Sequence, residues 1–392
     1  MIRPILNRSI VVAALGTAQT LAWGSSYYLP AILADPIAQG LGLSRTAVFG
    51  VFSGALLLSA VLGPAVGRAI DNRGGRGVLA LSNLVLAAGL ILLGVAEGLF
   101  TLALAWVVLG VGMAMGLYDP AFATLTGLYG RAARGPITGV TLIAGFASTV
   151  GWPLSAFLDA QFGWRTACLI WAALHIVIGL PLNRLLIPRA PPPAHTPAMA
   201  EEAAQAPRGA MAILAFIFAA TWFVTGAMAA HLPRLLEIAG ASTTAAIAAA
   251  ALVGPAQVAA RLVEFGALRR VHPLVSARLA AMLHPIGAVI LGLTGPGAIT
   301  AFAVLHGAGN GLLTIAKGTV PLAIFGPVGY GLRSGVLGAP ARATQAASPL
   351  LFGLLMDHMG IGVLAISAGL SLSAFFALLL LKVRPAAAPV PA

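Results

Sequence analysis

The chain alternates between long apolar stretches and short connections that carry glycine, proline and arginine. Each stretch holds roughly 20 apolar residues, which is the length of α-helix that crosses a bilayer core. The stretches are continuous, whereas the strands of an outer-membrane barrel alternate between apolar and polar positions. Because backbone groups in lipid must be hydrogen-bonded within their own segment, the pattern predicts transmembrane α-helices.

Twelve helices are predicted in this way, six in each half of the chain. The halves are residues 1–187 and 210–392, and the proline-rich stretch 188–209 has the composition of a linker between them. The sequence therefore predicts an all-α membrane protein made of two pseudo-symmetric six-helix bundles. To within several residues, the predicted helices are 10–33, 47–70, 77–96, 101–123, 135–158, 165–187, 210–232, 244–267, 274–294, 297–317, 335–356 and 361–382.

The two halves repeat local features of sequence. Tyr28-Leu29-Pro30 is predicted to end the first helix, as His231-Leu232-Pro233 is predicted to end the seventh. Ser44 and Ser242 are predicted to cap the second and eighth helices, because serine is a preferred residue immediately before a helix. Two similar bundles around a midplane site are typical of transporters whose halves rock against each other.

Charge adds an orientation to this pattern. Only 8% of the residues are charged and 59% are hydrophobic, with a mean hydropathy of +0.98. Arginines and lysines concentrate in one set of alternate connections, and only Arg45, Arg165 and Arg234 fall in the other set. By the positive-inside rule, we expect a multi-pass inner-membrane protein with both termini and the linker in the cytoplasm. The net charge of +12 reflects these topology signals, so no nucleic-acid partner is expected.

A motif follows the second predicted helix, where Gly67 is followed by Asp71, Gly74 and Arg76. The stretch resembles the loop between helices 2 and 3 of the major facilitator superfamily, although Gly75 replaces one usual arginine. This resemblance implies the twelve-helix fold and alternating access. Small residues allow close helix packing, and the aspartate can accept hydrogen bonds or pair with an arginine across the cytoplasmic gate. Gly67, Asp71 and Arg76 are therefore candidate gating residues.

A narrower resemblance concerns the eighth helix. Gly63-Pro64 and an arginine in that helix are similar to monocarboxylate transporters and oxalate/formate antiporters, whose helix 8 arginine contacts the carboxylate. Aligning the half-repeats at their caps puts Arg261 in this position. Pairing Gly254-Pro255 with Gly63-Pro64 instead moves Arg261 to the cytoplasmic edge. Trp106 stands where proton-coupled drug exporters of the superfamily carry an arginine, which disfavours drug antiport.

Cationic side chains within helices are the main candidates for substrate binding. A charge at the centre of a membrane helix costs about 2.5 to 3.5 kcal/mol, so it needs a partner or a function. Gln257 and Arg261 share a helix face and can jointly hold a planar anion. Arg342 offers a second cationic position, as the same resemblance implies. The alternatives are that Arg261 forms an ion pair within the protein, with Glu264 or Asp119, or that its side chain extends to the cytoplasmic face of the membrane.

The other polar candidates each have two interpretations. His306 and Asn310, four residues apart, either face a substrate cavity or fasten helices by a hydrogen bond. Asp119 either carries a proton that couples transport or sits in a fixed salt bridge. Tyr27 and Tyr28 end a polar and aromatic series that lines a cavity or anchors the helix at the membrane interface.

These residues form no nucleotide loop, metal-ligand cluster or nucleophile with a base, so we expect no enzyme, cofactor or metal. The sequence predicts a secondary transporter that moves a small carboxylate-like organic anion by alternating access, as a monomer in the lipid bilayer and with proton coupling left open. The alternatives are an exporter of neutral or cationic xenobiotics and a non-transporting membrane sensor on the same fold.

Overall fold

The computed structural model describes residues 7–189 and 209–381, and the regular secondary structure in these ranges is helical throughout. The first half contains α1 (Arg8–Ser25), α2 (Pro30–Leu41), α3 (Arg45–Arg73), α4 (Gly75–Gly94), α5 (Leu99–Gly116), α6 (Tyr118–Tyr129), α7 (Arg134–Ala144) and α8 (Ala147–Leu174). Two π-helical segments, His175–Gly179 and Leu182–Leu186, continue α8. The second half contains α9 (Ala210–Ile238), α10 (Thr243–Ala251), α11 (Val253–Gly266), α12 (Pro273–Thr294), α13 (Ile299–Phe325), α14 (Tyr330–Met359) and α15 (Val363–Leu380).

The number of membrane crossings follows from the lengths of the helical stretches. Seven described stretches are long and apolar enough to cross a membrane, and the longest are Leu99–Leu186 with 88 residues, Pro273–Phe325 with 53 and Tyr330–Leu380 with 51. At about 1.5 Å per residue these three far exceed a bilayer core of about 30 Å, so each contains several crossings separated by turns. Gly163, with φ of 78°, makes one such turn inside α8. Together with the first crossing, which α1 and α2 form, the chain has the predicted fold of twelve transmembrane helices in two bundles.

The starts of two helices are confirmed, but two of the predicted ends are wrong. The Ser44 hydroxyl accepts a hydrogen bond from the Ala47 N–H at 3.1 Å, and the Ser242 hydroxyl accepts one from the Ala245 N–H at 3.3 Å. Pro30, predicted to end the first crossing, instead begins α2, because proline fits the first turn of a helix. Likewise α9 continues through Pro233.

The predicted linker at 188–209 lies almost entirely outside the described residues. The second π-helical segment ends at Leu186, and α9 begins at Ala210.

The halves are in backbone contact near one end of the bundle. We call this end the basic end and define it by the connections α3–α4, α6–α7 and α11–α12, which carry arginines such as Arg73, Arg131 and Arg269. Here a methyl group on Gly67 would overlap the carbonyl oxygen of Gly331. One turn further along, a methyl group on Gly335 would overlap the carbonyl oxygen of Gly63. Only glycine allows α3 and α14 to pack at this distance.

Toward the opposite end, the Ser53 hydroxyl of α3 donates a hydrogen bond of 3.5 Å to the Ala346 carbonyl of α14. The ion pairs at that end, Arg45 with Asp35 and Arg234 with Asp357, each join residues of one half. The bundle is therefore tied together by polar contacts at the basic end and at mid-depth.

Candidate substrate site and gate

A buried ion cluster joins the two halves. The Asp119 carboxylate on α6 lies 2.9 Å from the Lys317 ammonium on α13 and 2.6 Å from the Arg342 guanidinium on α14. Arg342 also donates a hydrogen bond of 3.0 Å to the Ser59 carbonyl on α3. All three charged residues are buried, with exposed fractions between 5% and 8%. Because two cations share one carboxylate, the cluster carries a formal charge of +1.

A break in the fourth crossing positions Asp119. Leu117 has an extended backbone, with φ of −85° and ψ of −164°, and it separates α5 from α6. The helix α6 therefore begins inside the bundle, with Asp119 in its first turn, where the helix dipole stabilises a carboxylate. Pro120 follows in the same turn, where proline is well accommodated. Of the two predicted roles of Asp119, the structure contains the salt bridge.

Lys317 was not among the residues predicted from the sequence. The tenth helix was predicted to end at 317, which would place the lysine at a solvated helix end, whereas α13 continues to Phe325 and buries it. Its ammonium lies 5.0 Å from the centre of the Trp222 ring, a cation–π contact. The apolar run after Lys317, interrupted only by Gly318 and Thr319, was the signal in the sequence that the helix continues.

Arg261 is buried without an acidic partner. Its exposed fraction is 4%, and no carboxylate lies within 4.0 Å of it in the described part of the chain. The guanidinium donates instead to three neutral oxygens: the Gln257 side chain at 3.3 Å and the carbonyls of Thr141 at 3.2 Å and Gly311 at 3.5 Å. Because Gly311 lies midway along α13, the guanidinium points away from the basic end toward the middle of the bundle. Gln257 and Arg261 thus lie together, as predicted.

Glu264 does not pair with Arg261, so the predicted alternative of an Arg261 ion pair with Glu264 or Asp119 is wrong for this conformation. Glu264 on α11 lies 2.8 Å from the guanidinium of Arg134 at the start of α7. Arg134 also donates to the carbonyls of Val271 at 2.5 Å and Leu268 at 3.0 Å. These contacts tie α7 of the first half to α11 and the α11–α12 connection of the second half at the basic end.

His272 lies beside this contact, in the connection that precedes α12. Its ring nitrogen accepts a hydrogen bond from the Leu274 N–H at 3.2 Å. Burial lowers the pKa of His272 from its ordinary value of 6.5, and the nearby cations Arg134 and Arg278 lower it further.

Asp71 accepts hydrogen bonds from the other half of the molecule at the basic end, as one of its two predicted interactions requires. Its carboxylate oxygens accept from the backbone N–H groups of Gly331 and Leu332, each at 2.8 Å. These N–H groups belong to the first turn of α14, so the carboxylate also meets the positive end of that helix dipole. Gly67 packs against the same turn. Arg76 lies in the first turn of α4, next to the α3–α4 connection.

His306 and Asn310 lie away from the ion cluster. The His306 ring is 3.0 Å from His284, and Asn310 accepts a hydrogen bond of 3.0 Å from Thr225. Both line a small cavity inside the second half, together with Thr221, Ser371 and His284. In the described part of the chain, neither side chain forms a hydrogen bond with Arg261 or Arg342.

The predicted tyrosines belong to a larger aromatic cluster on the first half. The ring centroids of Tyr27 and Tyr28 are 5.4 Å apart, and both rings contact Trp23. Tyr118 also packs on Trp23, with centroids 4.9 Å apart. The Tyr27 hydroxyl accepts a hydrogen bond of 2.8 Å from Gln345 on α14, so the cluster faces the second half.

Comparison with protein families shows the class to which this fold belongs. Residues 15–313 match the family model of the Major Facilitator Superfamily. The chain belongs to this superfamily, which confirms the broader of the two resemblances found in the sequence. The narrower resemblance, to monocarboxylate transporters and oxalate/formate antiporters, stays a prediction.

A curated relative gives a partial match. A protein of Mycolicibacterium smegmatis (strain ATCC 700084 / mc(2)155), named an MFS-type efflux pump, is 34% identical over 181 residues. The match covers 45% of this chain and 40% of that protein, so it spans less than half the length of either.

Three solved structures share the fold along nearly the whole chain. The human organic anion transporter MFSD10 (TETRAN) has a TM-score of 0.71 at 17% identity and covers 96% of this chain and 100% of its own. The proton:xylose symporter XylE, bound to 6-bromo-6-deoxy-D-glucose, has a TM-score of 0.75 at 14% identity, covering 94% of each chain. FucP in the outward conformation has a TM-score of 0.73 at 14% identity, and the match covers 95% of this chain and 98% of FucP. At such identities the likeness concerns the fold alone.

Proposed function

We propose that this chain is a secondary active transporter that moves a small, carboxylate-like organic anion by alternating access. The observation that carries the proposal is the buried Arg261 guanidinium, which has no carboxylate within 4.0 Å among the described residues. Burying an uncompensated charge is costly, so such a site is suited to a ligand of opposite charge. The extra positive charge shared by Lys317 and Arg342 adds to the attraction.

Each residue then has a distinct role in the proposal. Arg261 and Gln257 bind the carboxylate, because a guanidinium and an amide can donate in parallel to a planar anion. Arg342 offers the second cationic contact, and Asp119 competes with the substrate for it. Protonation of Asp119 would release Lys317 and Arg342, which provides a route for proton coupling. His306 and Asn310 are left out of this site because they line a different cavity.

The gate is proposed to be the basic end. Asp71, Gly67, Arg76 and Glu264 lie there, and the contacts at Gly331 and Arg134 hold the two halves together. We place this end in the cytoplasm by the positive-inside rule, with both termini on the same side of the inner membrane. On that orientation the conformation described here is closed toward the cytoplasm. Residues 1–187 and 210–392 are proposed to rock as two bodies within one monomer.

A second candidate function is the export of neutral or cationic xenobiotics. It is favoured by the partial identity with the mycobacterial protein that is named an efflux pump. In that case Arg261 and Arg342 brace the gate and contact no substrate.

Uptake into proteoliposomes separates the two candidates. The purified chain would be tested with labelled acetate, lactate and benzoate, with a neutral amide and with a cationic amphiphile, each with and without a proton gradient. Saturable uptake of carboxylates supports the proposal. If the amide or the cation is transported and no carboxylate is, the proposal of anion transport is overturned and the export function is favoured. Thermal stabilisation by a carboxylate without flux of any compound would identify a sensor.

A further inference from the structure

We infer that the anion carried by this protein is aromatic, with a flat ring that packs on Trp23, Tyr28 and Tyr118 while its carboxylate meets Arg261. This inference deepens the proposed function and rests on it. It combines two features that lie side by side in the structure: an unneutralised cation of the second half and an aromatic surface of the first half.

The aromatic surface is formed next to two helix breaks. The first crossing is interrupted after Ser25, where α1 ends, and Tyr27 and Tyr28 lie in the break before α2. The fourth crossing is interrupted at Leu117, and Tyr118 follows as the first residue of α6. The Trp23 ring connects the two breaks, with its centroid 6.0 Å from that of Tyr28 and 4.9 Å from that of Tyr118.

These rings keep part of their surface exposed, although Trp23 and Tyr118 also pack against apolar clusters of the first half. Trp23, Tyr28 and Tyr118 are each half-buried, although they lie deep within the bundle. Arg261 on α11 reaches the first half, where its guanidinium donates to the Thr141 carbonyl on α7 at 3.2 Å, and its charge acts on the hydroxyls of Tyr28 and Tyr118. We therefore expect a ligand bound at Arg261 to contact these rings.

Trp23 has a further feature that points to a ligand. Its indole nitrogen is buried, and it donates to no acceptor among the described residues. Buried donors in proteins are nearly always paired, and the indole N–H of tryptophan can only donate. A carboxylate oxygen is an acceptor of the right kind.

The positive charge of the site determines the polar group of the ligand. Among the described residues, Arg261 donates only to neutral oxygens, at 3.2 to 3.5 Å, and these contacts leave its charge uncompensated. Aromatic rings pack favourably on one another in offset and edge-to-face arrangements, which a flat unsaturated ring can adopt and a puckered saturated ring cannot. The combination selects an aromatic carboxylate over a short aliphatic acid, a saturated cyclic acid or a neutral aromatic compound.

Equilibrium dialysis of the purified full chain with labelled benzoate tests this inference. We expect acetate to compete at least tenfold more weakly than benzoate, cyclohexanecarboxylate at least threefold more weakly, and benzamide at least tenfold more weakly. Tyr28→Leu and Tyr118→Leu should each weaken benzoate binding at least tenfold and leave competition by acetate unchanged. Tyr28→Phe keeps the ring and should keep the preference. Phe376→Leu, at an exposed aromatic of α15, is the matched control and should change nothing.

The outcomes distinguish this inference from the proposed function. If acetate or cyclohexanecarboxylate competes as well as benzoate, the aromatic preference is overturned while anion binding stands. If the wild-type chain binds none of the carboxylates, the proposed function fails and the inference fails with it. The competition series on the wild-type chain decides the question even where a leucine variant does not fold.

Discussion

Asp119 and Arg342, which lie in opposite halves of the molecule, are joined by an ion pair of 2.6 Å deep inside the bundle. Lys317 approaches the same carboxylate at 2.9 Å. For the basic end to open, as alternating access requires, these contacts must break or loosen. We therefore propose that Asp119 controls the conformational change in addition to serving as a counterion.

The first prediction concerns the charge of Asp119. Asp119→Asn keeps the size of the side chain but leaves Lys317 and Arg342 buried together without an anion. Removing one partner of a buried ion pair typically costs about 3 to 5 kcal/mol, so we expect a clear fall in the melting temperature in detergent and a loss of transport. Adding Lys317→Met should recover part of the stability. If Asp119→Asn alone melts at the wild-type temperature, the stabilising role of this ion cluster is contradicted.

The second prediction concerns the glycine contact at the gate. Gly67→Ala places a methyl group against the backbone of Gly331, so the closed basic end cannot form as described. We expect at least a tenfold loss of transport and greater labelling of cysteines introduced at the basic end. Gly54→Ala on the same helix is the matched control, since a methyl group there meets nothing within 4 Å. Equal effects of the two variants would rule out this contact as a gate.

The third prediction concerns the ion pair between Glu264 and Arg134. Glu264→Gln removes the carboxylate that holds the start of α7 to α11, so the basic end should open more often. A spin-label distance across that end should shift toward longer values. Asp35→Asn breaks a pair whose two side chains are 54% and 58% exposed. Exposed pairs contribute little, so this control should leave the distance distribution unchanged, and a similar shift in both variants would contradict the assignment.

The fourth prediction is a pH dependence from His272. Because its pKa is lowered in the folded protein, the unfolded chain binds its proton first as the pH falls. Its contribution to stability is therefore complete above the ordinary value of about 6.5 and declines as the pH falls below it. Thermal unfolding between pH 8 and pH 5 should show this decline, and His272→Gln should reduce it. An unchanged slope in the variant would assign the dependence to other groups.

Parts of this structure could be predicted from local sequence because they depend on local physical rules. Continuous apolar runs gave the twelve crossings, and Ser44 and Ser242 marked helix starts through their capping hydroxyls. The spacing of Gln257 and Arg261 put them on one face. Rules of this kind need only neighbouring residues.

The partners of the charged residues could not be predicted, because they come from distant parts of the chain. Asp119 meets a lysine 198 residues away and an arginine 223 residues away, and nothing local selects these over Arg261. The helix breaks were missed for a related reason. Residues 26–29 and Leu117 interrupt crossings that continue beyond them, whereas local rules predict that a helix ends at a proline such as Pro30.

The measurement that tests the central claim most directly is carboxylate counterflow in proteoliposomes with one arginine removed at a time. Arg261→Ala removes the cation that has no carboxylate partner among the described residues. Arg278→Ala removes an arginine that, in the described part of the chain, donates to the carbonyls of Leu378 and Leu381 within the second half. We expect counterflow to fall at least tenfold in the first variant and to persist in the second. Undiminished counterflow in Arg261→Ala would contradict the proposed site.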